Sequence, residues 1–422
     1  MKRITVFLVC LVLILGAGLT ASAQASKGPY TVKMWVFPLG DSNAQKDLFA
    51  AMVKTFESRN KDIKVNVQTM PWSNREQKLM TALAANRGPD SMYMNSDILL
   101  QFAYNNMLQP LDPYMTADQK TDFFPHTLSI NSYEGKVYGL PILQELMTYI
   151  YNMDMLKSIG VDAKSLPGTF DEYEAMMGKL AAKGMFGLAM DVAASPIASG
   201  YYAQLWSEGG TPFAPDGKVT INDATGVKVL DRLARWYKNG YMPKDSVTMT
   251  EESYGKWLAG QAASFYFSAG YLVGDDLKNV KFTWALGPIL KGAAGAKTDC
   301  SIGSFCLTKD STNPQAAFKW LDFVTNKENS TALNKFSGFL PPRKSIPNIH
   351  AAVKGYDVIL SQLQYSYSQT SHPVERQIIP YLIPEIQAAL TGAKTAQQAL
   401  NDAAAKAADI IKRFDDIKAA QQ

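Results

Sequence analysis

Two carboxylates stand where the chain changes texture. Glu145 follows Gln144 between two apolar runs, and Asp97 closes the polar triplet Asn95-Ser96-Asp97 behind the short apolar run Ser91 to Met94. A carboxylate in such surroundings is either a satisfied structural group or part of a ligand site. Two that converge could serve glycoside hydrolysis. Set beside flat rings, they could accept hydrogen bonds from sugar hydroxyls while the rings cover the apolar faces of the sugar. Aromatic residues at strand ends and loops supply candidate rings: Trp35, Phe37, Trp72, Tyr93, Tyr201, Tyr202, Trp206, Tyr271 and Tyr381. Trp72 and Tyr271 stand just outside a helix and a strand, next to Pro71 and Gly270. Trp236, Trp284 and Trp320 have the spacing of core residues.

Other chemistry finds no carrier. His126, His350 and His372 are the three histidines, and none has a partner at metal-ligand spacing. The chain has no phosphate-binding glycine loop and no nucleophile elbow. The expectation is therefore no catalytic residue, no metal and no cofactor. Cys300 and Cys306 could form a disulfide only through a turn at Gly303-Ser304. Six residues of extended chain span roughly 20 Å, beyond disulfide reach. The alternative is two buried free thiols.

The elements that position these residues begin after a processing segment. Lys2 and Arg3 precede the apolar stretch Ile4 to Leu19, and Ala21-Ser22-Ala23 has the small residues of a cleavage site. Residues 1–23 are expected to be a signal peptide. Cys10 lies inside the apolar run, so a lipoprotein is not evident. Export to the periplasm or extracellular space follows. Removal of Lys2 and Arg3 leaves 40 basic residues against 38 acidic ones, too balanced for a nucleic-acid partner.

With 422 residues, two domains are expected. Tyr30 to Phe37 and Asp62 to Met70 alternate as strands, and Ser91 to Met94 is a short buried strand. Helical periodicity fills the gaps between them, with Asn43 as a candidate cap for the first helix. Strand, helix, strand, helix, strand predicts an α/β fold with a mostly parallel sheet. Tyr133 to Asn152 opens on a Glu134-Gly135 turn and continues into β-rich sequence. Pro141 lacks a ladder donor, so the chain is expected to leave one sheet there and bend toward another. Thr169 caps a helix expected to run to about Lys183, and the C-terminal third is helical.

Ordered along the chain are Gly88-Pro89-Asp90, Leu108-Gln109-Pro110-Leu111-Asp112, Gly135 to Pro141, Tyr149 to Asn152, Trp257 to Ala263, Gly287-Pro288 and Gly338 to Arg343. Together they resemble the extracellular solute-binding proteins of the family 1 type, maltose-binding-protein-like subunits of ABC importers. The resemblance implies a type II periplasmic-binding-protein fold, α/β, with two lobes. One lobe would comprise 27–143 plus 304–345, the other 148–299 plus 350–422, with hinges near 143–148, 299–304 and 345–350. It implies a carbohydrate ligand in the cleft, an ABC permease as partner and a monomer. It also implies ligand contacts at Glu145, Asp97, Asn95, Asp41 and Ser42, with stacking at Tyr271 and, as the nearest C-terminal counterpart, Tyr381. Trp72, Tyr201 and Tyr202 complete the aromatic candidates. A tryptophan is common in the family at the positions of Phe170 and Tyr271. The alternative ligand is a solute such as glycerol phosphate or a polyamine, and a phosphate would draw on Arg75, Arg343 or Arg376. A secreted glycosidase is the third reading.

Overall fold

The structure is a computed structural model that describes residues 28–72, 75–195, 199–214, 216–367 and 372–420. The expected signal peptide and Cys10 lie outside the described residues. Seven principal strands order the fold: β1 (Tyr30–Val36), β2 (Ile63–Thr69), β3 (Ser91–Asn95), β4 (Gly139–Asn152), β5 (Phe186–Ala189), β6 (Ala262–Ser268) and β7 (Thr298–Thr308). They follow one another in space as β2-β1-β3-β7-β4-β6-β5.

Local sequence explains the first lobe. In β1 the alternating residues Val32, Met34 and Val36 are fully buried, as period-2 geometry requires of a strand with one face on a core. β2 and β3 pair with it in parallel. Between β1 and β2 runs α1 (Ser42–Arg59), which buries Phe49, Met52 and Phe56. Its cap is Asp41, whose carboxylate accepts from the backbone N–H groups of Asn43 (3.1 Å) and Ala44 (2.8 Å). The expected cap, Asn43, is already inside the helix. Asp41 has the non-helical backbone that leaves its side chain facing the free N–H groups.

Among the principal strands, parallel pairing is found in β1, β2, β3 and the β5–β6 pair, and the short strand Ser366–Tyr367 adds a parallel pair to the start of β7. β4 and β7 run antiparallel to each other, and each is antiparallel to its other principal neighbour. They are the strands that pass between the lobes. The expected exit from the sheet at Pro141 does not occur, and β4 runs unbroken for 14 residues. The register shifts instead: Ser304 faces Pro141 while Gly303 faces Leu143, so Ile142 has no partner. A bulge accommodates a residue without an N–H and keeps the ladder intact on both sides. Gly303 is required there, since a Cβ would meet the Tyr93 hydroxyl at 2.2 Å and Leu143 at 2.8 Å. The bulge does not reverse the strand, and Cys300 and Cys306 are buried free thiols.

One hydrophobic core, around Phe37, Phe56, Tyr93 and Trp320, fills the first lobe. A second, around Tyr173, Trp206 and Trp236, fills the other. A third lies beneath the crossing strands, with Leu146, Ile302, Leu340 and Tyr356. Trp236 and Trp320 are fully buried as expected, whereas Trp284 is half-buried with the Lys354 ammonium 3.9 Å above its ring. Gln144 joins a third segment to the crossing. Its backbone exchanges two hydrogen bonds with Leu340 (2.8 and 3.0 Å), and its amide donates to the Pro341 carbonyl (2.7 Å) and meets His126 at 2.6 Å. Among the described residues no helix is long and apolar enough to cross a membrane.

Candidate functional site

Strand alternation sets the floor of a cavity of about 480 Å³. On β4, Glu145 and Met147 face it, while Leu146 packs into the core beneath. On β7, Asp299 and Ser301 face it, while Cys300 and Ile302 pack below. Glu145 stands opposite Ser301 in the ladder, so Asp299 is its diagonal neighbour. The first lobe contributes Asn95, Ser96 and Asp97, at the end of β3 and the start of the helix Ser96–Tyr104. The second contributes Asp191, Glu251, Tyr254, Ser268 and Tyr271.

The aromatic platform is a pair. Tyr271 stacks on Tyr254 with ring centres 4.5 Å apart and planes 9° from parallel, and it is 45% exposed. This single-turn projection follows from Ser268, whose side chain caps the short 3₁₀ turn Ala269–Val273 immediately after β6. The same Ser268 hydroxyl donates to the Glu145 carboxylate.

The electrostatics are one-sided. Burial raises the Glu145 pKa, and the Ser268 hydrogen bond opposes that shift. Asp299 is pushed well above the ordinary range, first by burial and then by repulsion from Glu145 and Asp97. The Tyr271 hydroxyl is raised by burial and by the negative charges of Glu145, Glu251 and Asp191. Asp97 is compensated differently, lying between Arg75 (3.0 Å) and Arg376 (2.9 Å). Arg75 also donates to the Asn95 side chain at 2.5 Å and lies 5.1 Å over the Trp72 ring. Arg376 belongs to the helix Glu375–Leu390, which buries Leu382 and Ile386 in the second lobe, so its ion pair with Asp97 spans the two lobes.

Of the residues expected to contact a ligand, Asn95, Asp97, Glu145 and Tyr271 line this cavity. Trp72 is not among the lining residues; it is stacked on Phe37 at 4.8 Å and tied by its indole N–H to the Pro38 carbonyl. The others are placed elsewhere. Asp41 and Ser42 begin α1, and the Asp41 carboxylate is occupied as its cap. Tyr201 and Tyr202 are buried in the second core, on the inward face of the helix Tyr201–Glu208. Arg343 is buried too, donating to the Thr325 carbonyl (2.8 Å) and to Asp122 (3.0 Å), with Phe123 against its guanidinium. Buried with these partners, it is not among the cavity-lining residues. Tyr381 is 47% exposed on the helix Glu375–Leu390 and is not among the lining residues. Sequence reasoning missed Asp299, Ser301, Asp191, Glu251 and Tyr254. For Asp299 and Ser301 a signal existed, since alternation in β7 puts them on one face. Nothing in the sequence indicated that this face is open.

A two-lobed α/β fold whose crossing strands floor a cleft defines a class of binding proteins. The sequence profile for the bacterial extracellular solute-binding protein matches residues 51–357, and the chain belongs to that family. A galactooligosaccharide-binding protein of Bacillus subtilis is 23% identical over 427 residues, covering 97% of this chain and 98% of the relative. An uncharacterized ABC transporter extracellular-binding protein of Pyrococcus horikoshii is 25% identical over 381 residues, covering 87% and 82%. The sugar-binding protein MalE of Xanthomonas citri shares the fold with a TM-score of 0.79 at 21% identity, covering 92% of this chain and 98% of that one.

Proposed function

We propose that the protein captures a carbohydrate, a mono- or oligosaccharide, in the interlobe cavity and delivers it to the membrane permease of an ABC importer, without catalysis and as a monomer. The observation that carries this reading is the Tyr254–Tyr271 stack beside Glu145. A half-exposed ring beside carboxylates is suited to an apolar sugar face with hydroxyls at its edge. The cavity volume falls within the range of about 300–1,000 Å³ common to small-ligand sites. Segments near 143–148, 299–304 and 345–350 act as hinges, and bending there closes the lobes on the ligand. Export through a cleaved signal peptide places the protein outside the cytoplasmic membrane.

A phosphate-bearing ligand fits less well. No lysine or arginine is among the described lining residues. Arg75 and Arg376 are already paired with Asp97, and Arg343 with Asp122. Isothermal titration against mono-, di- and trisaccharides tests the reading, and silence across the whole set would sink it. Prolonged incubation with bound oligosaccharide should release no shorter sugars.

A further inference from the structure

Every formally charged side chain among the described cavity-lining residues is acidic: Asp97, Glu145, Asp191, Glu251 and Asp299. Their compensation is unequal. Asp97 has two arginines, Glu145 has the Ser268 hydroxyl, and Asp191 accepts from the Ser253 backbone N–H at 3.0 Å. Asp299 is 3% exposed and faces the cavity, yet no donor in the described residues reaches its carboxylate. A buried carboxylate without a partner is costly, and a native fold retains one where something else completes it. A metal does not fit the role, because no three His, Cys, Asp or Glu side chains among the described residues group as metal ligands.

We infer that the missing partner is a ligand ammonium, and that the solute is an amino sugar with a free, protonated amine held by Asp299 and Glu145 on the cavity floor. This deepens the carbohydrate reading and rests on it. The Tyr254–Tyr271 stack fits the same ligand twice, because it covers a sugar ring and attracts a nearby cation. A neutral sugar would bring only hydroxyls to the Asp299 carboxylate and leave its charge unanswered.

The test is isothermal titration of the mature protein with D-glucosamine and its 1→4-linked dimer, against their N-acetylated forms, glucose and cellobiose, and spermidine. Amine sugars should bind at least tenfold more tightly than N-acetylated and parent sugars. Asp299→Asn should erase most of that preference, and Glu251→Gln, at the exposed rim, should reduce it by a smaller factor. Parent or N-acetylated sugars binding as tightly as the amines would overturn the inference and leave the carbohydrate reading standing. Spermidine binding more tightly than every sugar would overturn both. The wild-type preference is read without any variant, so a misfolded Asp299→Asn cannot hide a failure.

Discussion

Tyr271 and Asp299 do opposite things for the molecule without its ligand. Tyr271 exposes nearly half of a large ring, which is the arrangement of a platform awaiting a partner. Its replacement by alanine should weaken sugar binding by about 1–3 kcal/mol, the scale of a lost aromatic contact. Unchanged affinity in a folded Tyr271→Ala protein would remove this ring from the site. Asp299 instead holds a carboxylate where its charge is disfavoured by burial and by Glu145 and Asp97. Its folded pKa lies above its unfolded one, so the folded state takes up the proton more readily. The resulting penalty is absent below the ordinary aspartate range, grows as pH rises toward the folded pKa, and is complete above it. Ligand-free Asp299→Asn should therefore melt at a higher temperature than the parent at neutral pH, and the gap should close on acidification toward pH ~4. An equal melting temperature at neutral pH would contradict a destabilising charge at this position.

At the scale of elements, caps and anchors separate structural residues from ligand contacts. The helix Phe170–Ala181 starts with a capping box, in which Thr169 accepts from the Glu172 N–H and Glu172 accepts from the Thr169 N–H. Thr169→Ala should cost about 1 kcal/mol of stability by urea denaturation, with no change in ligand affinity. Arg343 anchors the segment after Leu340 to Asp122 and Thr325. Removing it strands a partly buried carboxylate, so Arg343→Met should lower stability by about 2–4 kcal/mol, somewhat less than for a fully buried pair because Asp122 retains some solvent contact. An Arg343→Met protein of normal stability that binds sugar poorly would return Arg343 to the ligand site.

For the whole molecule, contacts outside the crossing strands also tie the lobes together. Arg376 reaches Asp97 (2.9 Å) and Glu76 (3.6 Å) of the first lobe, and Phe414 of the C-terminal helix stacks on Tyr104 of the first lobe at 4.1 Å. None of these contacts lies in a segment proposed as a hinge, so all of them bear on the angle between the lobes. Arg376→Gln should let the ligand-free protein open, seen as an increased radius of gyration in small-angle X-ray scattering, with the liganded value little changed. An unaltered ligand-free radius would show that the ion pair does not set the lobe angle. The bulge at Gly303 has a different consequence for the whole: it lets two continuous strands cross between lobes without a break at Pro141.

Sequence alone determined those features in which neighbours in the chain decide the outcome. Period-2 runs located β1 and β2, a short apolar run located β3, Thr169 announced its helix, and the ordered blocks from Gly88 to Arg343 indicated the two-lobed family. The polar interruption at Gln144-Glu145 was legible for the same reason, since it breaks an apolar strand. Tertiary structure decided what each face meets. Alternation can say that Asp299 and Ser301 share a side of β7, but only the approach of the second lobe leaves that side open. Tyr201 and Tyr202 read as candidate ligand rings, but the helix bearing them turns both into the second core. Arg343 read as a candidate ligand cation, but Asp122, more than two hundred residues earlier in the chain, pairs with it. Local pattern encodes direction from the backbone, whereas burial and pairing depend on chain brought together from far apart in the sequence.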